Sequence, residues 1–161
     1  FFNCLKDFLD KKSQYSQKLS HLAFSLLILS ILLNGIFSKE FTSNMKVGDE
    51  LEFSGKKIKF KSIKINLKEN FNSIEGIFEI TDLNNKVSIF YPEIRIFNQP
   101  KISTSEADIK VNLFTDNFLV FNLLKDDETF NVRYQYKPFM IWIWISSIAL
   151  ALGGLLSLIR K

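Results

Sequence analysis

The sequence predicts a membrane α + β protein, with two transmembrane helices flanking an all-β domain of about 100 residues, built as a small barrel or sandwich. Three observations predict it. Residues 19–37 and 139–159 form uncharged apolar stretches near the two ends of the chain, each long enough to cross a hydrocarbon core of about 30 Å. Between them the apolar period changes from helical to alternating, and turn residues break the chain into short runs. The formal charge of +4 lies outside this middle region: residues 39–137 hold 15 basic and 15 acidic side chains, while Lys6, Lys11, Lys12, Lys18, Arg160 and Lys161 outnumber Asp7 and Asp10 in the flanks. By the positive-inside rule both termini are expected on the cytoplasmic side and the β domain on the outer face.

The expected organisation is a cytoplasmic or amphipathic flank at 1–18, a span at 19–37, the β-rich domain at 38–138, a second span at 139–159 and a tail at 160–161. About 18 residues precede the first apolar run, and no small-x-small pair around residues 33–39 offers a cleavage site, so a span is favoured over a secretory signal. The chain begins with Phe1 rather than methionine and reads as a fragment of a longer reading frame. Phe1, Phe2, Leu5, Phe8 and Leu9 fall near a helical spacing, as at the end of a preceding helix or in an amphipathic segment.

In the β region, Leu51 and Phe53 lead through Ser54-Gly55 into Ile58 and Phe60, a hairpin signal. Ile63, Ile65 and Leu67 continue on a parity shifted by one residue, which predicts a bulge near Lys61-Ser62. Ile74, Gly76, Phe78 and Ile80 alternate next, and Asp82-Leu83-Asn84-Asn85 turns the chain into a second hairpin that Pro92 stops or confines to an edge. Residues 98–112 are the least regular; Pro100, Ser103, Thr104 and Ser105 predict a loop over the strands, with Ile102, Ile109 and Val111 as anchors. Residues 118–124 and 129–136 flank Lys125-Asp126-Asp127-Glu128 and predict a last hairpin, with Phe130, Val132, Tyr134 and Tyr136 on one face.

Composition excludes several classes of function. The neutral β region, with lysines and acids intermixed, does not suit nucleic acid. Cys4 is the single cysteine, so the outer domain has no internal disulfide and folds by core packing alone. There is no glycine-rich phosphate loop, metal cluster, nucleophile elbow or Cys-x-x-Cys-His, so a self-contained active site is not expected and no catalytic residue is assigned. The single histidine, His21, lies about three residues into the first span, with Ser25, Ile28, Leu32 and Gly35 along the same face. An imidazole there either snorkels to water or serves as a metal or haem ligand, whose second axial ligand must then come from another helix. Tyr134, Tyr136, Phe139, Trp142 and Trp144 gather where the last strand enters the second span, with Lys137-Pro138 at the change from strand to helix. An aromatic belt or interface is expected there. Trp142 and Trp144 point to nearly opposite sides of the helix, and Gly153-Gly154 with Ala149 and Ala151 suits close helix packing.

Ser20-His21-Leu22-Ala23 is followed in order by Met45-Lys46-Val47-Gly48-Asp49, Phe78-Glu79-Ile80-Thr81, Tyr91-Pro92-Glu93-Ile94-Arg95, Tyr136-Lys137-Pro138-Phe139, Trp142-Ile143-Trp144 and Gly153-Gly154. This series resembles the C-terminal region of the CcmF family of cytochrome c haem-lyase subunits, together with its NrfE relatives, over nearly the whole chain. Val47 replaces a common proline, and Ser105-Glu106-Ala107-Asp108-Ile109 departs from a usual Thr-Glu-Ala-Ala-Ile. The family's Trp-rich haem-handling motif and external histidines lie upstream of this chain. The resemblance implies a maturation subunit of the bacterial inner membrane, or of the mitochondrial inner membrane if organelle-encoded. Such a subunit receives haem from the carrier CcmE and works with CcmH or CcmI to attach it to apocytochrome c. It further implies that His21 is an axial ligand of a haem b, and that the fragment is not catalytic alone. The rival expectation is a membrane-anchored β scaffold with an interfacial His21.

Overall fold

The computed structural model describes residues 2–124 and 128–158, with side chains from Tyr15 onward. The predicted side chains at 1–14, the Lys125-Asp126-Asp127 part of the last turn, and Arg160 with Lys161 lie outside the described residues. Two compact units emerge. One comprises Phe1–Ser38, Asn112–Asp116 and Lys137–Lys161, and the other comprises Lys39–Val111 and Asn117–Tyr136.

The first unit contains α1 (Phe2–Phe37) and α2 (Met140–Leu158). The stretches Tyr15–Phe37 and Met140–Leu158 are long and apolar enough to cross a membrane. The helices run side by side in opposite directions: Ser16 Oγ donates to Gly153 O at 2.8 Å, and Asn34 Nδ2 donates to Pro138 O at 2.6 Å. Among the described side chains of α1 the buried positions are Ser16, Ala23 and Ser30, one heptad apart, so a narrow seam of small residues faces α2. On α2, Ser146 and Gly153 repeat the same spacing. A Cβ at Gly153 would collide with Ser20 Oγ and lie 3.2 Å from Ser20 N, whereas one at Gly154 meets nothing within 4 Å. Only the first glycine of the pair sets the close approach, as in small-residue membrane helix contacts.

The second unit is a β sandwich. Its first sheet has four strands in the order β1 (Lys39–Met45), β10 (Phe130–Pro138), β9 (Thr115–Leu123) and β8 (Asp108–Val111). The second has six: β2 (Glu50–Phe53), β3 (Lys56–Leu67), β4 (Phe71–Thr81), β6 (Glu93–Phe97) and β7 (Ile102–Glu106) in order, with β5 (Val87–Phe90) also on β4. The predicted hairpins form. Ser54 and Gly55 turn with φ of 52° and 75°, which matches the right-handed twist of the flanking strands. The register shift between Phe60 and Ser62 is the predicted bulge. Pro92 ends β5 as expected, yet the chain resumes as β6 along the same edge of β4, with the Pro92 carbonyl accepting from Gly76 N at 2.9 Å. Phe60, Phe78, Phe121 and Phe130 interlock at the centre, Phe60 and Phe78 stacked at 4.2 Å and the others edge-on or tilted. Met45, Ile58, Ile80, Phe90, Ile94, Leu119, Val132 and Tyr134 complete this core.

The loop expected at residues 98–112 is corrected by the structure: β7 and β8 occupy most of it, one on each sheet. Ile102, Ile109 and Val111 are exposed and are not anchors. Main-chain pairing holds β7 against β6, so Ser and Thr suffice at an edge where the ladder rather than apolar burial supplies the contact. On β8 the inward positions are polar. Asp108 Oδ2 accepts from Tyr91 N at 2.7 Å, and Lys110 Nζ lies 5.6 Å above the Phe90 ring.

Candidate functional site

A helical step of about 100° per residue puts His21 about 140° round the axis from Ser16, whose hydroxyl donates to Gly153 of α2. His21 is accordingly exposed, as are Ser25, Ile28, Leu32 and Gly35 on the same face, while the seam of Ser16, Ala23 and Ser30 is buried. At about 1.5 Å per residue His21 stands about 9 Å from Tyr15 and about 24 Å from Phe37 along the helix, one turn inside the end of the span that carries Lys18. Ser25 Oγ donates to the His21 carbonyl at 2.9 Å, so the neighbouring hydroxyl is occupied by the main chain. The imidazole is thus presented away from α2, on an apolar face with a small side chain one turn ahead of it. Among the described residues there is no cluster of His, Cys, Asp or Glu that could hold a metal ion.

The opposite end of the helix pair is built differently. Pro138 ends β10, and Phe139, at φ 58°, swings the chain into α2. Phe139 N donates to Phe114 O at 2.8 Å, and Phe139 O accepts from Trp142 N at 3.1 Å. Phe114 packs edge-on against Phe139 and stacks at 6.5 Å on Trp142. The Trp142 Nε1 is buried with no hydrogen-bond partner, while Trp144 is 64% exposed, so the two indoles diverge as the helical spacing predicts. Of the predicted interface residues, Pro138 and Trp142 belong to this junction and Trp144 points outward. Lys137 is half-buried. Asn34 and Phe114 were not singled out by sequence; a lone amide near the end of an apolar run is the signal that could have found the first.

Tyr136 belongs to the sandwich, half-buried beneath Lys56, whose Nζ lies 4.9 Å above its ring. Lys56 Nζ also donates to Tyr134 OH at 2.8 Å and to Asn117 Oδ1 at 3.1 Å, and Tyr134 OH donates to the same Asn117 oxygen at 2.6 Å. Burial holds the Lys56 amine below the usual lysine range and pushes the Tyr134 phenol above that of tyrosine. The triad satisfies polar groups at the margin of the core.

The CcmF C-terminal β-sandwich matches residues 36–138. The cytochrome c-type biogenesis protein CcmF of Pseudomonas aeruginosa is 24% identical over 97% of this chain and 26% of its own length. CcmF of Haemophilus influenzae is 27% identical over 93% of this chain and 23% of its own length. A solved cytochrome c haem lyase CcmF shares the fold, with a TM-score of 0.73 and 18% identity over 94% of this chain and 25% of that one. The chain therefore spans about a quarter of the length of these relatives. With the sandwich matched over more than half of its residues, the chain belongs to the CcmF family of cytochrome c-type biogenesis proteins and carries that family's C-terminal region.

Proposed function

We propose that this chain is the C-terminal part of a membrane haem-lyase subunit for cytochrome c maturation, in which the helix pair contributes one axial ligand of a haem b and the sandwich serves as a docking module. The observation that carries the reading is the outward placement of His21. A buried seam of small residues already pairs α1 with α2, yet the one histidine is held on the opposite face. An imidazole at membrane depth is costly unless it hydrogen-bonds or binds a ligand, and this one faces whatever packs on the far side of α1.

These residues fit a haem. Ser25 leaves room beside the imidazole, and Ile28 and Leu32 continue an apolar surface of the kind a macrocycle covers. When bound, the haem supplies electron transfer that keeps the iron of an incoming haem reduced. The chain's own part is to hold the imidazole at a fixed depth and to exclude water with the apolar face around it. A second axial ligand comes from outside this chain, since His21 is the only histidine.

In this reading the protein lies in the bacterial inner membrane, or the mitochondrial one if organelle-encoded, with the sandwich in the periplasm or its equivalent. Its substrate-side partners are CcmE, which delivers haem, and CcmH or CcmI, which present apocytochrome c. The balanced charge of the sandwich suits protein contacts. The test is a reduced-minus-oxidised spectrum of the full-length parent, purified with His21 and with His21→Ala. Loss of the b-type bands from an inserted variant is the expected result. An unchanged spectrum contradicts the haem role and leaves a membrane-anchored scaffold.

A further inference from the structure

The six-stranded sheet has an edge, along β3 beyond Phe60, with which no described strand pairs. β3 and β4 run together as far as the Leu67 and Asn72 pair, but β2 accompanies β3 only from Lys56 to Lys59. The last main-chain bonds on that side join Phe60 to Gly48 and Asp49, at 2.8 and 3.0 Å. Beyond Phe60, no described strand lies on that side of β3.

The bulge decides which side chains line this edge. Ile58 and Phe60 face the core, and the register shift keeps Ile63, Ile65 and Leu67 on the same side, paired with Gly76, Ile74 and Asn72. Without the extra residue all three would turn to the other side of the sheet. Phe121 of the facing sheet comes within 3.0 Å of a Cβ built on Gly76; past that point exposure climbs from 40% at Ile63 to 64% at Ile65 and 78% at Leu67. An apolar strip with the parity of core residues is left open to solvent, which marks an interaction surface.

β2 shows what a strand on this edge looks like. Its sequence Glu50-Leu51-Glu52-Phe53 alternates acidic and apolar residues. Leu51 and Phe53 pack on the core, and Glu50 pairs with Lys57 at 3.7 Å and with Lys59. β3 carries Lys56, Lys57, Lys59, Lys61 and Lys64 and no acidic residue, so the pattern that β2 matches continues past the point where β2 ends. A second copy of the same edge would set lysine against lysine, which disfavours self-pairing.

We propose that the edge of β3 over residues 62–67 accepts, by strand addition, an extended segment of a separate partner protein whose residues alternate acidic and apolar. Its apolar side chains cover Ile63, Ile65 and Leu67, its acids lie beside Lys64, and its main chain pairs with the open edge. This inference rests on the reading of the sandwich as a docking module and names the surface and the partner chemistry.

The test uses the full-length parent in detergent and a short labelled peptide alternating glutamate and valine. The expected result is binding that slows amide exchange over residues 62–67 and is weakened about tenfold or more by Ile65→Asp. Lys64→Glu is expected to weaken it as well and to gain binding of the matched lysine and valine peptide. Both positions are exposed, and unchanged exchange in β4 verifies that each variant is folded. Equal binding of both peptides by the unsubstituted protein, or protection elsewhere than residues 62–67, overturns the proposal. Retention of partner subunits separates the two levels. If deleting residues 39–136 releases a partner that Ile65→Asp retains, the sandwich docks by another surface and only this inference falls. If the deletion releases nothing, the docking reading falls with it.

Discussion

The helix pair and the sandwich are held together by opposite means. In the sandwich, Phe60, Phe78, Phe121 and Phe130 are almost wholly buried and account for much of the core. Among the described side chains of the helix pair the buried positions are Ser16, Ala23, Ser30, Ser146 and Gly153, while Leu22, Phe24, Leu29 and Ile31 face outward. The sandwich gains stability by removing large apolar side chains from water. Hydrocarbon provides no such drive between helices, which associate through close backbone approach and hydroxyl hydrogen bonds instead. The large side chains of α1 are thereby left for lipid or for further helices, and His21 is left among them.

The largest effect that sharpens this contrast is expected from Phe60→Ala. Truncating a ring stacked at 4.2 Å on Phe78 is expected to destabilise the sandwich by about 3–5 kcal/mol, while Tyr15–Phe37 and Met140–Leu158 remain inserted. Limited proteolysis against temperature, with the spans followed by alkaline extraction, reads both. Loss of insertion together with the sandwich would mean that the helix pair depends on the β core for its stability.

Gly153→Leu is the counterpart in the other unit. The added side chain must enter space 3.2–3.3 Å from the Ser20 backbone, and overpacking of this kind costs about 1–3 kcal/mol. Spin labels on the two helices are expected to move apart in this variant. Gly154→Leu, with open space around it, is expected to leave the distance unchanged.

The Tyr134 phenol is pushed up by burial. Its contribution to stability is fully present below the ordinary tyrosine value of about 10 and is lost as pH rises toward the raised folded value. Alkaline melting of the sandwich should therefore steepen above about pH 10. Tyr134→Phe is expected to flatten that limb while lowering stability at neutral pH by about 1–3 kcal/mol, because Lys56 and Asn117 lose a partner. The depressed Lys56 acts with opposite sign, its burial cost easing as pH rises past its lowered value. Lys56→Met is thus expected to deepen the alkaline loss.

The smallest effect is expected at Trp142. Its Nε1 is buried without a partner, so Trp142→Phe removes no hydrogen bond and retains an aromatic ring against Phe114. A change within about 1 kcal/mol in the thermal stability of the helix unit is expected.

What was legible in the sequence was local. The Ser54-Gly55 turn, the bulge after Phe60 and the apolar spans each follow from a few adjacent residues, and the face shared by His21, Ser25 and Ile28 follows from helical geometry alone. The sorting of strands into two sheets was not legible. β1 pairs with β10 across most of the chain, and β5 and β6 share one edge of β4 on either side of Pro92; such pairings are set by tertiary packing and carry no periodic signal. Residues 98–112 carry loop propensity yet form strands for the same reason, because Ser103, Thr104 and Ser105 are held by the ladder to β6 rather than by their own propensity. At the candidate site His21 stood out as a lone imidazole in an apolar run, whereas Asn34 and Phe114 became visible only once Pro138 and Phe139 were placed beside them.

We propose that α1 presents His21 as a haem ligand. It is tested most directly by His21→Gly in the full-length parent, with haem spectra recorded with and without added imidazole. The expected result is loss of the low-spin b-type spectrum in the substituted protein and its return when imidazole fills the vacated position on the open helix face. A low-spin b-type spectrum that persists without imidazole would contradict it.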